Sequence, residues 1–182
     1  YSSIAIFGEP NTGKFEFVLT GRHTTRRIDG DSVTGKAFGG PIFYGHASDG
    51  FDEGPDHKGN AYWYQAKSAN KVFEMLDGKQ RETALLAKSP SDTDNVVKLT
   101  RGAVPIPGLA VADMSADQKT AMTGVHSDLL KPFREVDRIE SMKLIEKAGV
   151  DKLHLSFFND DDLGKDGVWD NWKLEGPDMV WY

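Results

Sequence analysis

The apolar residues of this chain change period twice, from about two to about 3.6 near residue 60 and back to about two near residue 153. A chain that runs strands, then helices, then strands does not supply the alternating strand–helix units from which parallel sheets are built. The pattern therefore predicts an α+β fold, a largely antiparallel sheet (N-terminal meander plus C-terminal strands) packed against three to four helices. With 182 residues, ten Phe, four Trp and five Tyr, the chain has the length and aromatic area for a sizeable core in a single domain, 1–182.

Ile4-Ala5-Ile6-Phe7 is an apolar run stopped by Gly8-Glu9-Pro10-Asn11, a strand followed by a turn. Phe15, Phe17 and Leu19 then share one face while Glu16 and Thr20 take the other, as a half-buried strand requires. The strand pattern can continue from Arg22 to Ile28, Asp29-Gly30-Asp31 marks a tight turn, and Phe38 to Tyr44 supplies a further strand. Residues 45–59 are rich in Gly, Asp and Pro without periodicity, which predicts a loop of the length at which loops tend to carry function.

Tyr62, Ala66, Ala69, Phe73 and Leu76 line one helix face, and Asp77 with Gln80 forms a capping box for a second, short helix. Residues 88–108 read as irregular apart from a short strand through Val96 to Leu99. Ser115 and Gln118 form another capping box ahead of Met122, Val125, Leu129 and Phe133, with Pro132 as a break. A helix from Arg134 to Ala148 closes on Gly149. Leu153, Leu155 and Phe157 then alternate with His154 and Ser156, and Val168 to Glu175 and Asp178 to Tyr182 read as aromatic-rich strands.

The net charge of −6 argues against a nucleic-acid partner, because such surfaces neutralise phosphates with clustered Lys and Arg. Arg22, Arg26 and Arg27 are the one tight basic cluster and read as a solvated strand face. No apolar run approaches the roughly twenty residues of a membrane-spanning helix. With no cysteine in the sequence, disulfides, thiolate catalysis and Cys-ligated metals are excluded within this segment.

Gly8-Glu9-Pro10-Asn11-Thr12-Gly13-Lys14 matches the first seven positions of a phosphate-binding loop. The eighth is Phe15, which cannot ligate magnesium, and a strand follows where the motif needs a helix N-terminus; a hairpin turn is the better reading. The acidic stretch 159–167 carries Asp160, Asp161, Asp162 and Asp166, but it misses EF-hand spacing because Lys173 stands where the bidentate Glu belongs. It reads as a solvated hairpin.

The histidines are His23, His46, His57, His126 and His154, and none pair at metal-binding spacing. His126 falls on the edge of an amphipathic helix and reads as structural. His23 shares the parity of Phe15, Phe17 and Leu19 at the end of its strand, bordering the loop that holds His46 and His57. These three are the candidate ligands of a divalent metal ion. No serine sits in a nucleophile elbow, and the many carboxylates do not single out an acid–base pair.

Several motifs in order carry a resemblance. The strand to Phe7-Gly8-Glu9-Pro10, Leu19 with Gly21-Arg22-His23, Pro41 with Phe43 and Gly45, Leu76-Asp77 with Gln80-Arg81, Gly108-Leu109 with Met114 and Gln118, and Leu174-Glu175-Gly176-Pro177 are similar to the bacterial family designated domain of unknown function 3500. The family commonly has Gly-His-His where this chain has Gly21-Arg22-His23, so only His23 carries over. The resemblance implies a helical stretch and often an export signal before Tyr1, and a His-x-His element after Tyr182. The chain is accordingly expected to be an excerpt of a longer protein, missing segments at both ends, with a periplasmic or extracellular location. It implies no established activity. The leading expectation is an exported protein with a histidine-centred, metal-dependent site. The alternative is a structural subunit that forms homo-oligomers through its aromatic C-terminal strands, or a small-ligand-binding module without catalysis.

Overall fold

The first apolar run forms strand β1 (Ser3–Glu9), and the chain reverses through residues 10–13 into its antiparallel partner β2 (Lys14–Gly21). The computed structural model describes residues 1–29, 42–45, 59–91, 99, 105–160, 162 and 168–182. The β1–β2 turn is set by Asn11 and Gly13 at positive φ and by Thr12, whose hydroxyl donates to the Glu9 carbonyl at 2.6 Å. The phosphate-loop lookalike is thus a hairpin, with a strand leaving it as its alternation predicts. Gly8 is required there: at φ +77° any Cβ would collide with the Lys14 carbonyl.

Gly21 stands opposite Thr24, so Arg22 and His23 alone reverse the chain into β3 (Thr24–Asp29). This corrects the expectation that the strand runs on from Arg22. Alternation cannot distinguish a strand that continues from one that folds back on itself at a polar pair. The last strand here, β4 (Phe43–Tyr44), pairs with β3, giving an antiparallel sheet in the order β1-β2-β3-β4. The chain falls into two compact units, Tyr1–Tyr62, which holds this sheet, and Trp63–Tyr182.

The second unit opens with α1 (Trp63–Met75) and α2 (Gly78–Ala84), followed by the two-residue strands β5 (Leu85–Leu86) and β6 (Leu109–Ala110). Then come α3 (Ala116–Leu130), α4 (Glu135–Ala148), β7 (His154–Phe158), β8 (Trp172–Glu175) and β9 (Val180–Trp181). Both capping boxes form, at Asp77/Gln80 and Ser115/Gln118. Their glutamines also meet: Gln80 Nε2 donates to Gln118 Oε1 at 3.1 Å and Gln118 Nε2 donates to Gln80 Oε1 at 2.9 Å. Each side chain so satisfies its own helix start and fixes the other's. Helix α3 stops before Pro132, and α4 ends at Gly149 with φ +101°.

The fold is α+β, as the change of period implies, with the strands divided between two sheets. In the second sheet β7 pairs antiparallel with β8 and β6, and β8 with β9, whereas β5 lies parallel to β7 through Leu85↔Phe157 and Leu86↔Phe158. Two-residue strands are too short to show a period, so this parallel pair is invisible in the sequence.

Leu155, Phe157, Trp172 and Leu174 on one face of this sheet join Ala69 and Val72 of α1 and Met122, Val125 and Leu129 of α3 in one core cluster. Phe73 meets Phe157 and Trp169 edge-on, at centroid distances of 5.0 and 5.8 Å. Trp169 and Trp181 pack against the same cluster, so the C-terminal aromatics are used in the chain's own core. Buried Asn70 ties the approach to β8 down, donating to the Trp169 carbonyl at 3.0 Å and accepting from the Trp169 amide at 2.8 Å.

Candidate functional site

His23 is half-buried in the two-residue turn between β2 and β3. The parity argument for a buried-face histidine does not reach it, because the strand ends at Gly21. What surrounds the turn is more informative. Thr24, the next residue, pairs with Tyr44. The Arg26 guanidinium lies over the Tyr44 ring at 5.1 Å, and Tyr44 meets Tyr62 edge-on at 4.5 Å. Arg26 is therefore an anchor for Tyr44 as well as part of a solvated face. His46 and His57 lie outside the described residues. Among the described residues no three His, Asp or Glu side chains gather to hold an ion.

A second polar grouping lies on the β7–β8 face opposite the core. The register sets His154 across from Glu175 and Ser156 across from Lys173, on the face opposite Leu155, Phe157, Trp172 and Leu174. Lys173 Nζ reaches Glu175 Oε2 at 2.6 Å, with Glu175 and Ser156 each only 3% exposed. Residues 107–108 cross this face: the Ser156 hydroxyl donates to the Pro107 carbonyl at 3.2 Å, and His154 Nδ1 lies 3.4 Å from the Gly108 carbonyl. Gly108 sits at φ +93°, where a Cβ would collide with Ser156 Oγ, so the close approach depends on glycine.

Removing two charges from water is costly, and such a pair holds only when both partners are present and hydrogen-bonded. Sequence reading found His154 and Ser156 on one face but missed Lys173 and Glu175. The signal was there: Trp172-Lys173-Leu174-Glu175 alternates, and an antiparallel partner for β7 places its polar residues beside His154 and Ser156.

His126 sits deeper than the helix edge its spacing suggests. It is 2% exposed, with Nε2 buried and unpartnered, and burial pushes its pKa down from 6.5 to about 4. At neutral pH it is an uncharged core residue. On the surface, Lys67, Lys71 and Lys131 border a shallow cleft of about 340 Å³ between α1 and α3 with Tyr64, Ser68 and Asp128. Lys131 pairs there with Asp128, whose pKa is lowered mainly by hydrogen bonds from Lys131 and Ser68 against the opposing effect of desolvation. Lys67 lies over the Trp63 ring at 5.9 Å. These cations are largely matched within the chain. In the acidic stretch, Asp160 accepts from the Ser89 amide at 2.7 Å and so acts as a loop clamp, while 161 and 163–167 lie outside the described residues.

No helix among the described residues is long and apolar enough to cross a membrane. Comparison with curated proteins gave no match, and neither did comparison with solved structures. A family model does match, over residues 2–180, and on that match the chain belongs to the family described as "Protein of unknown function (DUF3500)".

Proposed function

We propose that the protein is an exported bacterial protein that holds a divalent metal ion with His23 and one or both of His46 and His57. The observation that carries this reading is the meeting of Tyr44 and Tyr62 beside the His23 turn. Tyr44 pairs with the neighbour of His23, and Tyr62 returns to the same ring. Tyr44 and Tyr62, which flank the stretch of sequence bearing both other histidines, therefore meet beside the strand that begins one residue after His23. His46 follows Tyr44 by two positions and His57 precedes Tyr62 by five, within reach of about 7 Å and about 18 Å of extended chain.

Two or three imidazoles suit a borderline ion such as Zn²⁺, and a three-ligand set leaves a coordination position for water or substrate. What such a centre would supply is Lewis acidity and a water of lowered pKa. The export half of the proposal rests on the likeness to the bacterial family and is checked separately, by locating the protein in periplasmic, extracellular and cytoplasmic fractions.

Zinc titration of the purified chain by calorimetry, followed by metal analysis after dialysis, tests the site. One ion per chain is expected, with affinity falling at least about 100-fold in His23→Ala and again in His46→Ala or His57→Ala. A chain that binds no divalent ion, or one whose binding is unchanged in all three variants, overturns the reading.

A further inference from the structure

The seven residues of β1 are all exposed. Ile4 and Ile6, at 64% and 55% exposure, point to the same side as Phe17 and Ile28, which lie in one cross-strand row with Ile6. Phe7, at 58%, points to the other side. The strand is also the edge of its sheet, bonded to β2 on one side and to no strand among the described residues on the other.

Proteins normally blunt such an edge with an inward Lys, a proline, a bulge or a very short strand. Here the register with β2 runs unbroken from Ser3 to Glu9, no proline or Lys interrupts it, and the single charge is the terminal Glu9. An edge left this open offers a row of backbone donors and acceptors flanked by apolar side chains, which is what an added strand needs.

We propose that β1 is an association edge whose occupant is the β1 strand of a second copy of this chain, paired antiparallel about a two-fold axis at Ile6. The strand is complementary to itself in that register. Ile6 faces its own copy, Phe7 faces Ala5, Ile4 faces Gly8, and Ser3 faces Glu9. Each remaining large side chain meets a small one, and no like charges oppose each other. The pairing continues both sheets into one and puts Ile4 and Ile6 of both copies in a single apolar row.

The area is sufficient. Seven residues make a strip about 24 Å long, with about 10 Å of side-chain depth on either face. That is roughly 500 Å² per copy and about 1,000 Å² in all, the lower bound for a specific interface. The contact is closed by its symmetry, so it gives dimers and no filament.

Because the chain has no cysteine, a single introduced thiol reports the register directly. Residues directly opposite across an antiparallel pair have Cβ atoms about 5 Å apart, close enough for a disulfide. Ile6→Cys should form a covalent dimer under diamide at least about ten times faster than Glu9→Cys, whose copies in this register stand about 20 Å apart. Sedimentation velocity should show the unmodified chain as a dimer and Ile6→Lys, with circular dichroism unchanged, as a monomer. A chain that stays monomeric at about 100 μM, a dimer that survives Ile6→Lys, or equal cross-linking of the two cysteine variants each overturns the proposal. If Ile6→Lys does not fold, the cysteine pair decides.

Discussion

The two compact units differ in how they use apolar residues. Among the described residues the first unit has one buried hydrophobic, Val18 at 9% exposure, and it leaves Tyr1, Ile4, Ile6, Phe7, Ile28 and Phe43 largely in solvent. The second unit holds every other buried hydrophobic of the core and exposes mainly Met75, Val136, Ile139 and Tyr182. Backbone pairing gives the first unit its order, whereas side-chain packing gives the second its stability. A hydrogen bond contributes little net stability because water competes for it, so a sheet with so few side chains buried is marginal. The lesson is that the same apolar content can serve folding in one region and recognition in another.

The largest effect should come from deleting a fully buried side chain of the second unit. Phe157→Ala removes a ring that meets Phe73 and lies in the middle of the core cluster, and it should cost about 4 kcal/mol. Ile28→Ala, at a position 58% exposed in the first unit, should cost no more than about 1 kcal/mol. Urea denaturation followed by tryptophan fluorescence measures the first, since all four tryptophans lie in the second unit. Hydrogen exchange of the β2 and β3 amides measures the second. Comparable losses from the two substitutions would break the contrast.

A smaller effect sharpens it by pH. His126 is charged less readily in the folded chain than in the unfolded one, with a pKa near 4 against the ordinary 6.5. Its depressed folded value means that the neutral ring stabilises the fold fully above about pH 6.5. That stability drains away as pH falls towards 4, because the unfolded chain takes up the proton first. The shift corresponds to about 3 kcal/mol lost by pH 4. His126→Leu should lack this slope, so the difference between the two stability curves should change by about 3 kcal/mol as pH falls from 7 to 4. Curves that stay parallel would show that His126 gains its proton without cost.

Much of this architecture is legible in the sequence wherever one local rule decides. Phe15 after Gly13-Lys14 excludes the phosphate loop, and the hairpin found there follows from the alternation of Phe15, Phe17 and Leu19. Asp77 with Gln80, Ser115 with Gln118, and Gly149 mark helix ends because caps are local chemistry. What fails is whatever depends on a partner far along the chain. His23 shares the parity of Phe15, Phe17 and Leu19, yet it lies in a turn, since nothing in Gly21-Arg22-His23-Thr24 announces the reversal. The Lys173–Glu175 pair looks like a solvated alternation until Ser156 and His154 are placed against it. His126 falls on the edge of its helix by spacing, yet it is buried because other elements of the core pack over it. The expected strand through Val96 to Leu99 falls almost wholly outside the described residues, and Leu99 is not in a strand.

The smallest predicted effect turns on two glycines within the second unit and asks what its packing tolerates. Gly124 lies inside α3 with open space where a Cβ would go, so Gly124→Ala should raise stability by about 0.5 to 1 kcal/mol through helix propensity and a less flexible unfolded chain. Gly108 looks equally plain in sequence, but it holds φ +93° and a Cβ there would come within 2.6 Å of the Leu155 carbonyl oxygen as well as striking Ser156. Gly108→Ala should therefore lower stability by about 2 kcal/mol, combining left-handed strain with displacement of the 107–108 crossing from the Lys173–Glu175 face. Thermal denaturation of the two variants should move the midpoint in opposite directions. If both rise, the crossing is not packed on Ser156, and the polar face of β7 and β8 is more open than its burial implies.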